Sequence, residues 1–403
     1  MDSTFEALII LTRAGIWRSV SNIPKDVNWE SLQTLATKHG LAAVVLDGIE
    51  QLKNQGIALP DKAMMIQWIG AVLQNYEQRF KLYRRAIAEL ARFYNGHDIK
   101  MMVLKGYACS LDWPKPEHRP CGDIDIWQFG QQKEADELLN HTDFTESTDN
   151  SLVTKTSKNS KCSEIVIDNS HHHHTVFDWK GFMVENHYDF INVHHHRSNA
   201  DYEKILKQLG DERYTNDNDN LNPNPNLNDG LNINANKGMR HECVDVDGAK
   251  VYLPSPNLHA LFLLKHMMLH FASEEINLRQ ILDWAFFVKA HGEDVDWAMV
   301  KEVMEKFGMS QMFCIINRIC VDNLGFDFNL DLDCDMMLKE RVLNEVLSPE
   351  FTDEAPSSFL PRLAFKYKRW RANEWKHRLC YNESMWSAFW SGVWNHMLKP
   401  KSI

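Results

Sequence analysis

Two aspartates one residue apart, Asp123 and Asp125, are the groups in this chain best suited to chemistry, set in the run Gly122-Asp123-Ile124-Asp125-Ile126-Trp127. On a β-strand, side chains two apart share a face. Both carboxylates therefore project together while Ile124 and Ile126 enter a core. Oxygen ligands on one rigid face suit Mg²⁺, or Mn²⁺ in its place, a hard cation that keeps several waters and takes substrate phosphates into its shell. An amphipathic edge strand with two water-facing aspartates carries the same short motif, and the neighbours argue for the cation. Gly106 ends the apolar run Met101 to Leu104 at a place where backbone could approach a phosphate. Lys105 beside it supplies a point charge, and Arg119 a planar fork for phosphate oxygens.

Two ions in a phosphoryl-transfer site need a third acid. A strand is expected over Phe182 to Val193, with Glu185, His187 and Asp189 on one parity and Phe182, Val184, Tyr188 and Phe190 on the other. Glu185 and Asp189 would then stand roughly 13 Å apart at ~3.3 Å per residue. Paired catalytic ions sit ~3.5–4 Å apart, so only one of the two acids can join the aspartates.

The order of an apolar strand, Leu104-Lys105-Gly106, a variable helix, Arg119-x-x-Gly122-Asp123-Ile124-Asp125 and then Val184-Glu185-x-His187-Tyr188 resembles the uncharacterised bacterial nucleotidyltransferase family of the DNA polymerase β-like superfamily. The resemblance continues into Leu258 to Trp284. It implies an α+β fold, a polymerase β-like mixed sheet with flanking helices, and Mg²⁺-dependent transfer of a nucleoside monophosphate from a nucleoside triphosphate to a hydroxyl. In that reading Asp123, Asp125 and Glu185 are the catalytic, metal-holding acids, and Lys105, Gly106, Arg119 and Gly122 meet the nucleotide. The family's helical lobe faces the nucleotide, which makes Lys265, His266, His270 and Arg279 candidates for phosphate, with His187 a further candidate beside Glu185. Gly106-Tyr107 stands where the superfamily usually has Gly-Ser or Gly-Gly, so the small hydroxyl is missing. Two other functions remain open: a metal-dependent hydrolase built on Glu185, His187 and the histidine clusters, and a catalytically degenerate, nucleotide-binding regulatory module. The acceptor, whether small molecule, protein or RNA, has no diagnostic motif.

The elements that must position these groups fall into three regions: a helical region over 1–96, a catalytic domain over 97–256 and a helical domain over 257–403. Asn28 and Pro60-Asp61 mark helix starts. Met65, Ile69, Val72, Tyr76, Phe80, Tyr83, Ile87, Leu90 and Tyr94 form the packing stripe of a long helix, with Arg79, Arg84 and Arg85 on its outer face. Gln131 to Leu139 reads as a helix with Ala135, Leu138 and Leu139 inward, followed by a polar passage and short strands over Ser163 to Asp168 and Thr175 to Trp179. Between those strands lies His171-His172-His173-His174. Neighbours on an extended segment point to opposite faces, so at most two of the run could share an ion; a second run, His194-His195-His196, carries the same discount. The asparagine-rich stretch 215–237 buries too little apolar surface to offset its ordering entropy and reads as an insertion. Val244 to Leu253 turns at Asp247-Gly248 as a hairpin. Helices are expected from Leu258 to Phe271 and from Ile276 to Val288, with Arg279 and Asp283 as an i, i+4 pair. Arg362 to Lys376 interleaves basic and aromatic residues, which suits RNA or an anionic membrane; a capping helix with its tryptophans buried, continued by Trp386, Phe389, Trp390 and Trp394 at core spacing, fits the same pattern.

The formal net charge of −11 argues against a general nucleic-acid coat. Eight cysteines without a Cys-x-x-Cys pair fit reduced thiols in a cytoplasmic protein. No apolar run approaches the ~20 residues of a bilayer span, and the N-terminus, acidic before a short apolar run, does not read as a secretory signal.

Overall fold

A computed structural model gives the fold and describes residues 3–19, 22–52, 59–142, 144–146, 152–154, 162–163, 165–194, 196–215, 237–351, 358–384 and 386. The asparagine-rich stretch from 216 to 236 and the aromatic positions Phe389, Trp390 and Trp394 lie outside the described residues.

The chain opens with helices α1 (Ser3–Trp17), α2 (Trp29–Lys38), α3 (Ala42–Gln51), α4 (Lys62–Val72) and α5 (Arg79–Asn95). The Asn28 and Asp61 side chains cap α2 and α4 by accepting from Ser31 N and Met64 N. Between α4 and α5 the backbone makes a π-helical turn, Leu73–Gln78, so the two run on as one long helix. The stripe Val72, Tyr76, Phe80, Tyr83, Ile87, Leu90, Tyr94 is buried as its spacing requires. Before Val72 the inward step is four residues, so Trp68 is buried and Ile69, expected inside, is 40% exposed. The outer arginines are used within the chain: Arg84 pairs with Asp247 at 2.9 Å, Arg85 with Glu89 at 2.9 Å, and Arg79 donates to Cys121 O.

A six-stranded sheet follows, built from β1 (Met102–Val103), β2 (Ile124–Trp127), β6 (His174–Trp179), β7 (Phe182–His187), β8 (Glu242–Val246) and β9 (Ala249–Leu253) in the order β6-β7-β2-β1-β9-β8. It is mixed: β2 runs parallel to β7 and β1 to β9, and the other neighbours are antiparallel. The fold is therefore α+β. A short helix α6 (Tyr107–Ser110) lies between β1 and β2, α7 (Gln132–His141) follows β2, and α8 (Arg197–Leu209) follows β7. Where a polar passage was expected, β3 (Phe144–Glu146), β4 (Leu152–Thr154) and β5 (Cys162–Ser163) pair into a separate three-stranded sheet. The expected strand over Ser163 to Asp168 reduces to the end of β5 and one bridge, Asp168 to Val176. The hairpin β8–β9 turns at Asp247 (φ 51°) and Gly248 (φ 83°), the left-handed pair that a two-residue turn needs.

Both faces of the sheet are covered, as parallel pairs demand. Ile124, Ile126, Val103 and Val184 pack with Tyr83, Ile87 and Tyr94 of α5. On the other face Met102, Leu104, Trp127 and Tyr252 pack with Tyr202 of α8 and Phe262 of α9 (Pro256–Ser273). Helices α10 (Leu278–His291), α11 (Trp297–Lys306), α12 (Ser310–Asp322) and α13 (Met336–Leu347) extend that core. The capping box of Asn277 and Gln280 starts α10 two residues later than expected. The basic aromatic segment forms α14 (Phe359–Ala372) and α15 (Glu374–Cys380). Trp370 and Trp375 are half-buried, Arg371 is exposed and Trp386, expected in a core, is 53% exposed. Lys376 is buried in an ion pair with Glu345. The cysteines at 109, 121, 243, 314, 320, 334 and 380 are free thiols. Among the described residues no helix is long and apolar enough to cross a membrane.

Candidate active site

Strand register assembles the acids. In the parallel β2–β7 pair Asp125 is directly opposite Glu185 and Trp127 opposite His187; in the antiparallel β6–β7 pair His174 is opposite His187. Cross-strand partners share a face, so Asp125, Glu185, His187 and His174 occupy one patch of the sheet. Asp123 precedes β2, with its carbonyl held by the Tyr83 hydroxyl at 2.8 Å. Lys105, leaving β1, pairs with Asp125 Oδ1 at 2.8 Å and also donates to His266 Nε2 at 3.0 Å. His187 Nε2 lies 3.2 Å from Asp125 Oδ1 and 3.6 Å from Glu185 Oε2.

The electrostatics follow from that crowding. Burial pushes the Asp125 carboxyl up, but Lys105 and His187 outweigh it and hold the group below the carboxylate range. The charge of Asp125, with burial, raises the Asp123 carboxyl. Burial opposes charge on His187, yet Asp125 and Glu185 win and lift its imidazolium pKa to about 9. Burial, together with the neighbouring histidines, lowers His173 to about 2 and is the main cause that lowers His174 to about 4. His266 is likewise pushed well below the ordinary range by burial and by Lys105.

These groups line a cavity of about 970 Å³ between the sheet and helices α9 and α10. Asp123, Asp125, Glu185, Lys105, Gly106, Arg119, Gly122, His187 and Arg279 all line it. Lys265 does not: it is 1% exposed, lodged against the rings of Tyr202 and Tyr381, and burial lowers its pKa to about 8. Arg119 reaches the cavity wall with its fork already occupied, its Nε and Nη2 donating to the two oxygens of Asp283 at 2.8 and 2.9 Å, and Trp113 Nε1 adds a third bond at 2.9 Å. Asp283 is thus the partner of Arg119, and the expected pair of Arg279 with Asp283 along α10 does not form. Arg279 instead rests its stem on Gly40, and its buried Nε has no hydrogen-bond partner among the described residues.

Gly106 carries φ +46°, and a Cβ there would meet the Tyr83 hydroxyl at 2.3 Å. The glycine thus makes room for the bond that holds Asp123. Tyr107 turns its ring into the core beneath the sheet, stacked on Phe80 with centroids 6.2 Å apart, and does not line the cavity. The superfamily hydroxyl is absent here, but the ring that replaces it leaves the site open.

The expected strand to Val193 ends at His187. His173 O takes both Tyr188 N and Asp189 N, at 3.1 and 3.0 Å, and the Glu203 carboxylate takes Phe190 N and Ile191 N. These bonds bend the chain away from the sheet. Asp189 then pairs with Lys207. Sequence reasoning missed the approach of His173 and His174 to His187; the density of histidine was its only signal.

A family model described as an uncharacterised nucleotidyltransferase matches residues 25–226 and 220–325. No curated protein and no solved structure matches the chain. The two matched segments meet inside the asparagine-rich stretch, and together they take in α2 to α12, with both aspartates, Glu185, Lys105 and Arg279. The chain belongs to this uncharacterised nucleotidyltransferase family.

Proposed function

We propose that the chain is a Mg²⁺-dependent nucleotidyltransferase that moves a nucleoside monophosphate from a nucleoside triphosphate to a hydroxyl acceptor. The observation that carries this reading is the direct pairing of Asp125 with Glu185 across β2 and β7, at the wall of a cavity of about 970 Å³ shared with Asp123. The residues fit a hard cation. Asp125 Oδ2 is buried with no hydrogen-bond partner among the described residues, and the charge of Asp125 raises the Asp123 carboxyl. A divalent ion between the carboxylates would relieve both.

Held by Asp123, Asp125 and Glu185, Mg²⁺ would neutralise phosphate charge and lower the pKa of the acceptor hydroxyl. The chain's own groups do the positioning. Lys105, anchored between Asp125 and His266, directs its ammonium to the carboxylate face where the phosphates must lie. Arg279 offers its guanidinium from the opposite wall, its Nε without a hydrogen-bond partner among the described residues, suited to phosphate oxygens in two-point contact. The Arg119–Asp283 pair fixes the loop before Asp123 onto α10 and keeps the walls in register. Phosphoryl transfer asks for little beyond such positioning and charge neutralisation.

A screen of acceptors with labelled ATP and GTP in Mg²⁺, wild type against Asp125→Asn, tests the proposal. Label transfer by wild type alone is expected. Nucleotide binding with no transfer to any acceptor would favour the regulatory reading, and transfer undiminished in the variant would remove the carboxylate face from the mechanism.

A further inference from the structure

Three imidazoles converge at the edge of the carboxylate face. His173, His174 and His187 each bring a ring nitrogen within 4.8 Å of the others. On a regular strand His173 and His174 would face opposite ways, but His173 sits in the bend before β6, its carbonyl capped by Tyr188 N and Asp189 N, and both rings turn toward His187. The Nδ1 atoms of His173 and His174 are buried without a hydrogen-bond partner among the described residues. Glu185 Oε2 lies 3.7 Å from His174 Nδ1 and 3.6 Å from His187 Nε2.

The 3.6 and 3.7 Å separations are close to two edges of a small coordination polyhedron. A tetrahedral ion with bonds of about 2.0–2.1 Å to nitrogen and oxygen sets its ligand atoms about 3.3–3.4 Å apart. Here two edges need to close by only a few tenths of an ångström. His187 has in addition the outer contact that metal-bound imidazoles usually keep, because its Nδ1–H donates to Asp189 O at 3.1 Å and leaves Nε2 to face Glu185.

We propose that His173, His174, His187 and Glu185 form a binding site for a borderline divalent transition metal of the Zn²⁺ class, adjoining the hard-cation face of Asp123 and Asp125 and sharing Glu185 with it. The donor set decides the class: imidazole selects Zn²⁺ and Co²⁺, whereas Mg²⁺ takes oxygen. Binding draws His187 Nε2 off Asp125 Oδ1, 3.2 Å away, so occupancy changes the neighbouring face as well. The site rests on the histidine geometry and stands whether or not the chain transfers nucleotides.

The test uses the full chain, stripped with chelator and titrated with Co²⁺, whose visible ligand-field band is intense in sites without a centre of inversion, such as a tetrahedron, and weak in an octahedron. One equivalent of Co²⁺ is expected to give that band, and Zn²⁺ to abolish it. The double variant His173→Ala/His174→Ala should lose it, with His174→Gln as the milder change if the double variant does not fold. Two controls separate this site from its surroundings. Asp123→Asn should keep the band, and so should His171→Ala/His194→Ala, which removes exposed histidines that could chelate without a built site. A band lost in either control, retained in His174→Gln, or displaced by millimolar Mg²⁺ would overturn the proposal.

Discussion

On the sheet side of the cavity, Asp125, Glu185, His187 and His174 are placed by strand register, and each has a charged or ionisable neighbour within 3.7 Å. On the helical side, two arginines a short distance apart behave oppositely. Arg119, from the loop before the aspartates, has both ends of its fork on Asp283, while the Nε of Arg279, one turn before Asp283 on α10, has no hydrogen-bond partner. Nearness to a motif therefore does not decide which cation is free to bind phosphate; the prior claim of a buried carboxylate does. The outer rim differs again, since α14 and α15 lie beyond the last residue matched by the family, so the residues they bring to the cavity, Arg369, Trp370 and His377 among them, lie outside the family match.

The sharpest way to break the contrast is to take the acid from the locked arginine. Asp283→Asn leaves Arg119, which is 5% exposed, as an uncompensated buried charge, and the loss of one partner of such a pair costs about 3–5 kcal/mol. Denaturant unfolding should record a drop of that order. A loss under about 1 kcal/mol, the range of an exposed pair, would mean that water reaches the guanidinium.

On the sheet wall the comparison is between two acids of one parity. Glu185→Gln should lower Mg²⁺-dependent turnover by about 10²-fold or more, the scale of removing one well-placed electrostatic group. Asp189→Asn, whose acid is turned outward to Lys207, should stay within about twofold of wild type. Steady-state kinetics with the acceptor found by screening would compare them; the reverse order would place the third acid after the bend.

Arg279→Ala should weaken triphosphate affinity about tenfold, the equivalent of about 1.4 kcal/mol, and change folding stability little, because its Nε gives up no hydrogen bond. Calorimetric titration with Mg²⁺-ATP and Mg²⁺-GTP measures the first, and thermal melting the second. Unchanged affinity would turn attention to the rim arginine, Arg369.

A pH effect concerns the bend that ends β7. Burial raises the Glu203 carboxyl from 4.5 to about 8, against the opposing donation of Phe190 N and Ile191 N. A folded-state pKa above the unfolded one means that the native chain holds the proton more tightly, so this group's contribution to stability falls as pH rises from about 4.5 through 8. Glu203→Gln should flatten that slope in unfolding experiments between pH 5 and pH 8. A slope unchanged by the substitution would show that Glu203 is ionised in the native chain throughout.

What was legible in the sequence follows the same division. Period-two patterning and the flanking isoleucines placed Asp123 and Asp125 on one side of β2, because a half-buried strand leaves little choice of face. The hairpin at Asp247-Gly248 and the caps at Asn28 and Asp61 were legible for a similar reason: each is a local bond made by residues close in the chain. The end of β7 was not. It depends on Glu203 and His173, which reach Phe190 and Asp189 from elsewhere in the chain, and no periodicity records such a bond. The partner of Asp283 was mistaken because helical spacing offered Arg279, while a residue 164 positions earlier in the chain had the better geometry. The turning of His173 beside His174 depends on the same backbone bend and was equally hidden.

Calorimetric titration of ATP and GTP into the chelator-stripped chain, with and without Mg²⁺ and repeated on Asp125→Asn, tests most directly whether the paired carboxylates hold a divalent ion through which the chain grips a triphosphate. Binding by wild type with Mg²⁺ is expected, and none that is measurable in chelator or in the variant. Equal binding in chelator, or Mg²⁺-dependent binding of wild-type strength in Asp125→Asn, would contradict that reading.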